Sequence, residues 1–249
     1  MSPLADTGAD TGAPAGAGRL ARIEAGLADE GLVLLGAFHP APEDAVPAQP
    51  DGRPSRTLLL AGNAGGSLWA RFSAAPEAGD GRPDPLDRWS ARVIGALAAA
   101  AGGLALFPFG GPPYLPFQRW ARRAAPLTAS PLGVLIHPDY GLWHAFRGAV
   151  ALAEALPLPP AEARPSPCDS CAGRPCLTTC PVDAFTAAGY AVADCAAHVA
   201  APAGSDCLGL GCRARRACPV GRAWHYPAGQ ARIHMTAFIA ARGFLNTAG

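Results

Sequence analysis

The sequence predicts an α/β (α+β) N-terminal sandwich followed by a smaller module built around cysteine. Three observations predict it. Apolar runs that read as strands alternate with helical spacings from Leu20 to Leu152. A Pro-rich stretch, residues 157–167, then interrupts the pattern. All 8 cysteines of the 249-residue chain lie beyond that stretch. The expected division is a disordered tail over 1–18, an α/β domain over 19–157 with a place for a cofactor, a cysteine module over 158–222, and a C-terminal helix over 223–249 that packs back.

Each element has a local reason. Residues 1–18 are mostly Gly, Ala, Pro, Thr and Asp without apolar periodicity, hence the expected tail. Leu20, Ile23 and Leu27 recur at helical spacing and Gly31 stops the helix. Residues 32–38 read as a buried strand, 41–54 as a Pro-rich loop, 56–60 as a second strand and 63–66 as a turn. Ser67 is an N-cap candidate for a helix through Ala74. Residues 75–85 read as a loop closing on Asp84-Pro85, an N-cap with Pro in the first turn. The helix it opens carries Leu86, Trp89, Val93 and Leu97 on one side and ends at Gly102-Gly103. A strand over 104–109, a helix over 116–125, a strand over 132–137 and a turn over 138–141 follow. Residues 143–152 fit either a strand or a helix. Ile233, Ala237 and Phe238 mark a last helix within 230–241. The alternation of strands and helices implies an α/β layer.

Composition excludes several classes. Half of the residues are hydrophobic and 16% are charged, enough for a sizeable core. The formal net charge of +1 lacks the basic excess of a nucleic-acid binder. The chain has no lysine, so every fixed cationic side chain is an arginine. The longest apolar candidate, residues 93–106, is interrupted by Gly95, Gly102 and Gly103 and falls short of the ~20 residues a membrane helix needs. With no signal peptide in view, eight thiols point to the reducing cytoplasm.

The cysteines carry the chemistry. The first group reads Cys168-x2-Cys171-x4-Cys176-x3-Cys180-Pro181 and the last Cys207-x4-Cys212-x5-Cys218-Pro219, with Cys195 between them. Two groups that each close on Cys-Pro are the mark of a ferredoxin-like module with two [4Fe–4S] clusters, in which the Cys before each Pro ligates the other cluster. The first group is two residues longer in the middle than the bacterial run C-x2-C-x2-C-x3-C-P. A cubane offers four irons, one per thiolate, so a short looped segment supplies three ligands and a distant cysteine the fourth. Two four-thiolate zinc sites would use the same eight residues, but zinc ribbons favour separated C-x2-C pairs. Disulfides would suit a secreted chain.

With these elements in order, the chain resembles the epoxyqueuosine reductase-like family, cobalamin-dependent iron–sulfur reductases related to reductive dehalogenases. The resemblance rests on residues 27–36, on 130–143, on 146–160 and on the four, one, three order of the cysteines, and spans roughly 20–221. It implies one cluster on Cys168, Cys171, Cys176 and Cys218 and a second on Cys180, Cys195, Cys207 and Cys212. It also implies a cobalamin site in the front domain, without a protein histidine on cobalt. The chain departs from the family in three places. The carboxylate general acid has no counterpart, since no Asp or Glu stands between Asp87 and Asp139, which leaves Tyr114 or His137 to replace it. The family's Gly-Leu-Gly-Trp segment shrinks to Pro131-Leu-Gly133. The helical-repeat extension of the tRNA-modifying members is absent, so reduction of epoxyqueuosine itself is not expected.

Other residues are candidates for a cofactor wall. Gly110, Gly111 and Tyr114 follow a predicted strand, where an open α/β sheet gathers ligands, although a rigid loop explains them equally well. His137, Tyr140 and Trp143 form either a second wall or an aromatic-filled corner against the cysteine module. Arg213, Arg215 and Arg216 read as counter-charges to clusters, as a dock for an acidic redox partner, or as a solvated loop. Arg119, Arg122 and Arg123 share a helix that meets either phosphate groups or solvent. His225, Tyr226 and His234 read as packing or surface groups. The function expected is an iron–sulfur redox protein that passes electrons between a donor or acceptor protein, or a small-molecule reductant, and a bound cofactor. The alternatives are a cobalamin-dependent reductase and a cobalamin-handling protein without turnover.

Overall fold

The computed structural model describes residues 15–186 and 188–244. A four-stranded sheet in the order β1-β2-β6-β3 organises the front half: β1 is Val33–Phe38, β2 Thr57–Ala64, β3 Leu104–Leu106 and β6 His144–Leu152. Every pairing in it is antiparallel. The fold is thus mixed α+β, and the ligand-gathering edge of a parallel sheet has no counterpart here. The connections explain the difference. The Pro-rich loop between β1 and β2 holds only a 3-10 turn at Pro42–Asp44 and no crossover helix, and strands joined without a crossover pair antiparallel.

β2 shows why the sheet is covered on both faces. Leu59 and Ala61 point into a core shared with α1 (Ala15–Asp29), α2 (Trp69–Ser73) and α4 (Pro85–Ala100), where Leu27, Phe72, Trp89 and Ile94 are buried. Leu58 and Leu60 point the other way, onto Phe117 and Trp120 of α5 (Phe117–Ala124). Successive strand residues face opposite sides, so a strand buried throughout needs an apolar layer on each.

Several elements differ from expectation. α1 begins at Ala15, inside the stretch expected to be a tail, while residues 1–14 lie outside the described residues. Arg19 anchors this start by donating to Glu154 at 2.5 Å and to the carbonyl of Ala101 at the end of α4. Another short helix, α3 (Pro76–Gly79), forms inside the expected loop over 75–85. The strand expected over 132–137 is mostly turn. Gly133 (φ 77°) donates back to the Ser130 carbonyl, and only Leu135–Ile136 (β5) pairs with Thr128–Ala129 (β4). β3 ends at Leu106, beyond which Phe107 and Phe109 stack on each other.

The back half is a set of short pieces. A hairpin joins β7 (Phe185–Thr186) and β8 (Gly189–Tyr190), followed by α6 (Val192–Ala200), α7 (Ser205–Leu210), α8 (Arg213–Arg216) and α9 (Ala228–Ala240). α9 touches both halves: Ile233 packs on the α1/α4 core, and Met235, Phe238 and Ile239 pack with Cys195 and Cys207.

One polar cluster fastens α5 to the Pro-rich loop. The buried carboxylate of Asp44 accepts from the Ala41 N–H at 2.7 Å and from Arg123, while its carbonyl accepts from Trp120 Nε1 at 2.8 Å and from Arg119 at 3.1 Å. Two of the three arginines read as a phosphate-binding face are therefore engaged in structure. Asp44→Ala leaves the Ala41 N–H without its acceptor and Arg123 with only the His39 carbonyl, and is expected to cost about 2 kcal/mol. Denaturant unfolding measures it, and a loss below about 0.5 kcal/mol contradicts this role.

Candidate functional site

The eight cysteines surround two tight hollows, four to each. Cys168, Cys171, Cys176 and Cys218 line the first, together with Pro131, Ile136, Arg174 and Val220. Cys180, Cys195, Cys207 and Cys212 line the second, with Val182, His198, Val199 and Met235. All eight are free thiols. Each set joins cysteines from both ends of the segment, and the Cys of each Cys-Pro has crossed to the other group's hollow. Among the described residues no three His, Cys, Asp or Glu side chains converge on one metal-ion position.

Local structure delivers the cysteines. Cys168 sits in a turn held by Ser166, whose hydroxyl accepts from the Cys168 N–H at 3.3 Å. The two extra residues of the first group are taken up by a left-handed Arg174 (φ 34°) leading into the 3-10 turn Pro175–Leu177 that carries Cys176. Cys207 is on α7, and Cys212 caps the start of α8. Cys218 is placed by a backbone crossing that only glycines allow. A Cβ on Gly141 (φ 58°) would stand 2.2 Å from the Val220 carbonyl oxygen, and one on Gly221 (φ 75°) would stand 2.3 Å from that of Tyr140.

Burial pushes the thiols of Cys168, Cys176, Cys195, Cys207, Cys212 and Cys218 up from their ordinary value. They are protonated until a cation takes the proton's place. Arg174, Arg213 and Arg222 oppose this at Cys168, Cys207 and Cys218 in turn. The Ala184 N–H donates to Cys180 Sγ at 3.4 Å.

A larger hollow, about 350 Å3, lies between the sheet, the β5 turn and α9. Its walls are Gln118, Val134, Leu135, Leu142, Ala145 and Phe146 with the polar groups of His144, Arg215, Tyr226 and His234. Leu142 also belongs to the apolar cluster that contains Cys176 and Cys218, so the larger hollow and the first cysteine hollow border one apolar cluster. Burial holds His144 and His234 neutral, each pushed down to about 4. His144 Nδ1 and His234 Nε2 are buried without a protein partner.

Compared with models of known protein families and with curated proteins, the chain matches none.

None of the six residues singled out as a cofactor wall lines this hollow. Gly110 and Gly111 lie in the loop after β3, where Tyr114 is 69% exposed. His137 faces a separate groove beside β1 and the 158–162 linker, and its Nδ1 accepts from the Asp139 and Tyr140 N–H groups within its own turn. Tyr140 stacks on that ring at 4.3 Å. Trp143 is buried against His225 and Tyr226, an aromatic-filled corner. The hollow instead takes Tyr226 and His234, read from sequence as packing or surface groups. Gln230 and His234, one helical turn apart on α9, were the available signal. Of the three arginines near the cysteines, Arg213 and Arg216 both pair with Asp206, at 2.6 and 2.8 Å, and Arg215 alone faces the hollow.

The two imidazoles set a pH dependence. Their folded-state values lie below the ordinary 6.5, so between pH 6.5 and 4 the unfolded chain binds more protons than the folded one. Stability is complete above that window and is lost as pH falls through it. His234→Gln is expected to flatten the loss, as measured by unfolding midpoints in steps from pH 7 to 5. An unchanged slope contradicts the assignment.

Proposed function

We propose that the chain is an iron–sulfur redox protein that holds a [4Fe–4S] cluster in each cysteine hollow and passes electrons to a bound acceptor or a partner. The observation that carries the reading is the four-and-four partition with each Cys-Pro crossed over, the arrangement two-cluster modules use. The donor set fits. Four thiols line each hollow, and a cubane takes one thiolate for each of its four irons.

Such clusters, when bound, accept and release one electron at a time. The chain's own residues supply the rest. The thiolates would hold the iron, Arg174, Arg213 and Arg222 would temper their negative charge, and apolar neighbours such as Ile136, Val182 and Met235 would exclude water and so bear on potential. Leu142 lines the larger hollow, where an acceptor would sit, and belongs to the apolar cluster of Cys176 and Cys218.

A cobalamin-dependent reductase, or a cobalamin carrier, is the second reading. It is favoured by the large hollow bordering the apolar cluster that holds Cys176 and Cys218. That hollow has no carboxylate in its walls, so any proton would come from His144, His234 or Tyr226.

Anaerobic reconstitution tests the first reading. About eight irons and eight sulfides per chain are expected, and Cys218→Ala and Cys180→Ala should each remove about half. Zinc retained in preference to iron overturns it. Titrating the loaded protein with cob(II)alamin separates the second reading. A base-off cobalt resonance saturating near one per chain supports it, and an unperturbed cobalt signal beside intact clusters rejects it.

A further inference from the structure

Arg215 is a part-buried cation with no carboxylate partner among the described residues. Its guanidinium lies over the rings of Trp143 and Tyr226 at 4.4 and 4.6 Å, and its Nε and one Nη donate to the Leu142 carbonyl. The other Nη has no acceptor among the described residues. A cation fixed between two aromatic faces keeps one geometry, and a buried charge calls for a counter-charge. The neighbouring Arg213 and Arg216 have theirs in Asp206. Arg147, close to the far side, has Asp87.

The cysteines do not supply it either. The positive charge felt at Cys168, Cys207 and Cys218 comes from Arg174, Arg213 and Arg222, whereas that of Arg215 is felt at His144, His225 and His234. The walls of the larger hollow hold no Asp or Glu and are otherwise apolar apart from Gln118, Tyr226 and the two imidazoles.

We infer that this hollow binds an organic anion with an apolar body, its charge held by Arg215 between His144 and His234 and its body covered by Leu135, Leu142 and Phe146. The inference deepens the redox reading by naming the chemistry of the acceptor. The binding itself uses protein groups alone.

An anion there changes the imidazoles. The charged groups facing them are cationic: Arg215 from α8 at both, with Arg147 from β6 at His234, and His137 from the β5–β6 turn is the titrating neighbour of His144. A bound negative charge opposes these and favours protonation, so binding takes up a proton and weakens as pH rises.

The test uses cluster-loaded protein and two fluorescent probes of matched body. One is 8-anilinonaphthalene-1-sulfonate, a monoanion, and the other is its uncharged parent N-phenyl-1-naphthylamine. The sulfonate is expected to saturate at one per chain and to bind about tenfold tighter or better. Its affinity should be higher at pH 5 than at pH 7. Arg215→Gln should abolish the preference and Arg215→Lys should keep part of it, with iron content checked for each. Equal affinity of the wild-type protein for both probes overturns the inference, whatever the variants do. So does a preference that survives Arg215→Gln. Full iron with no anion preference rejects this inference alone, and anion preference in protein that takes up no iron rejects the cluster reading alone.

Discussion

The backbone crossing at Gly141 and Gly221 is the constraint on which the rest depends. Here the turn leading into β6 and the segment after Cys218 pass so closely that neither position admits a side chain. The crossing ties the last Cys-Pro to the sheet half of the molecule. It carries Cys218 back to the hollow of Cys168, Cys171 and Cys176, and it lets Pro131 and Ile136 form that hollow's wall. The same approach brings Arg215 under the Leu142 carbonyl and Tyr226 onto Trp143. The larger hollow thus exists because two stretches distant in sequence, 140–142 and 215–226, are clamped together.

Charge is distributed to match. The cysteine hollows are apolar, and the arginines that reach their thiols stand at the rim. Asp206 neutralises the pair that lies between the last cysteines, so among the described residues only Arg215 carries an unanswered charge into the larger hollow. Two imidazoles desolvated to neutrality stand beside it. For the anion inferred above, such a fixed guanidinium favours ligands by the sign of their charge, with Gln118, Tyr226 and the imidazoles as further polar contacts.

The helices and strands of the front half were legible where apolar spacing is regular: the α4 stripe of Leu86, Trp89 and Val93, and the run through β2. The antiparallel order was not, because alternation of element types does not say whether a crossover helix intervenes, and the β1–β2 loop contains none. The run 132–137 looked like a strand from its apolar content, but Ser130 and Gly133 make it a turn. The grouping of cysteines followed from the Cys-Pro pattern and the resemblance, and the hollows group them the same way. The larger hollow was invisible because its polar groups come from β6, α8 and α9, and no local pattern joins His144 to Arg215 and His234. The glycines and aromatic residues picked out instead are near one another in sequence, which is the only proximity a sequence displays. Of these, Trp143 packs on Tyr226 and Tyr140 on Trp224, and Tyr114 is exposed.

Anomalous diffraction at the iron edge, from crystals grown without oxygen, tests the central claim most directly. The account predicts two compact groups of anomalous scatterers, one in the hollow of Cys168, Cys171, Cys176 and Cys218 and one in that of Cys180, Cys195, Cys207 and Cys212. Single scatterers that respond at the zinc edge, or iron bound by a different grouping of these cysteines, would contradict it.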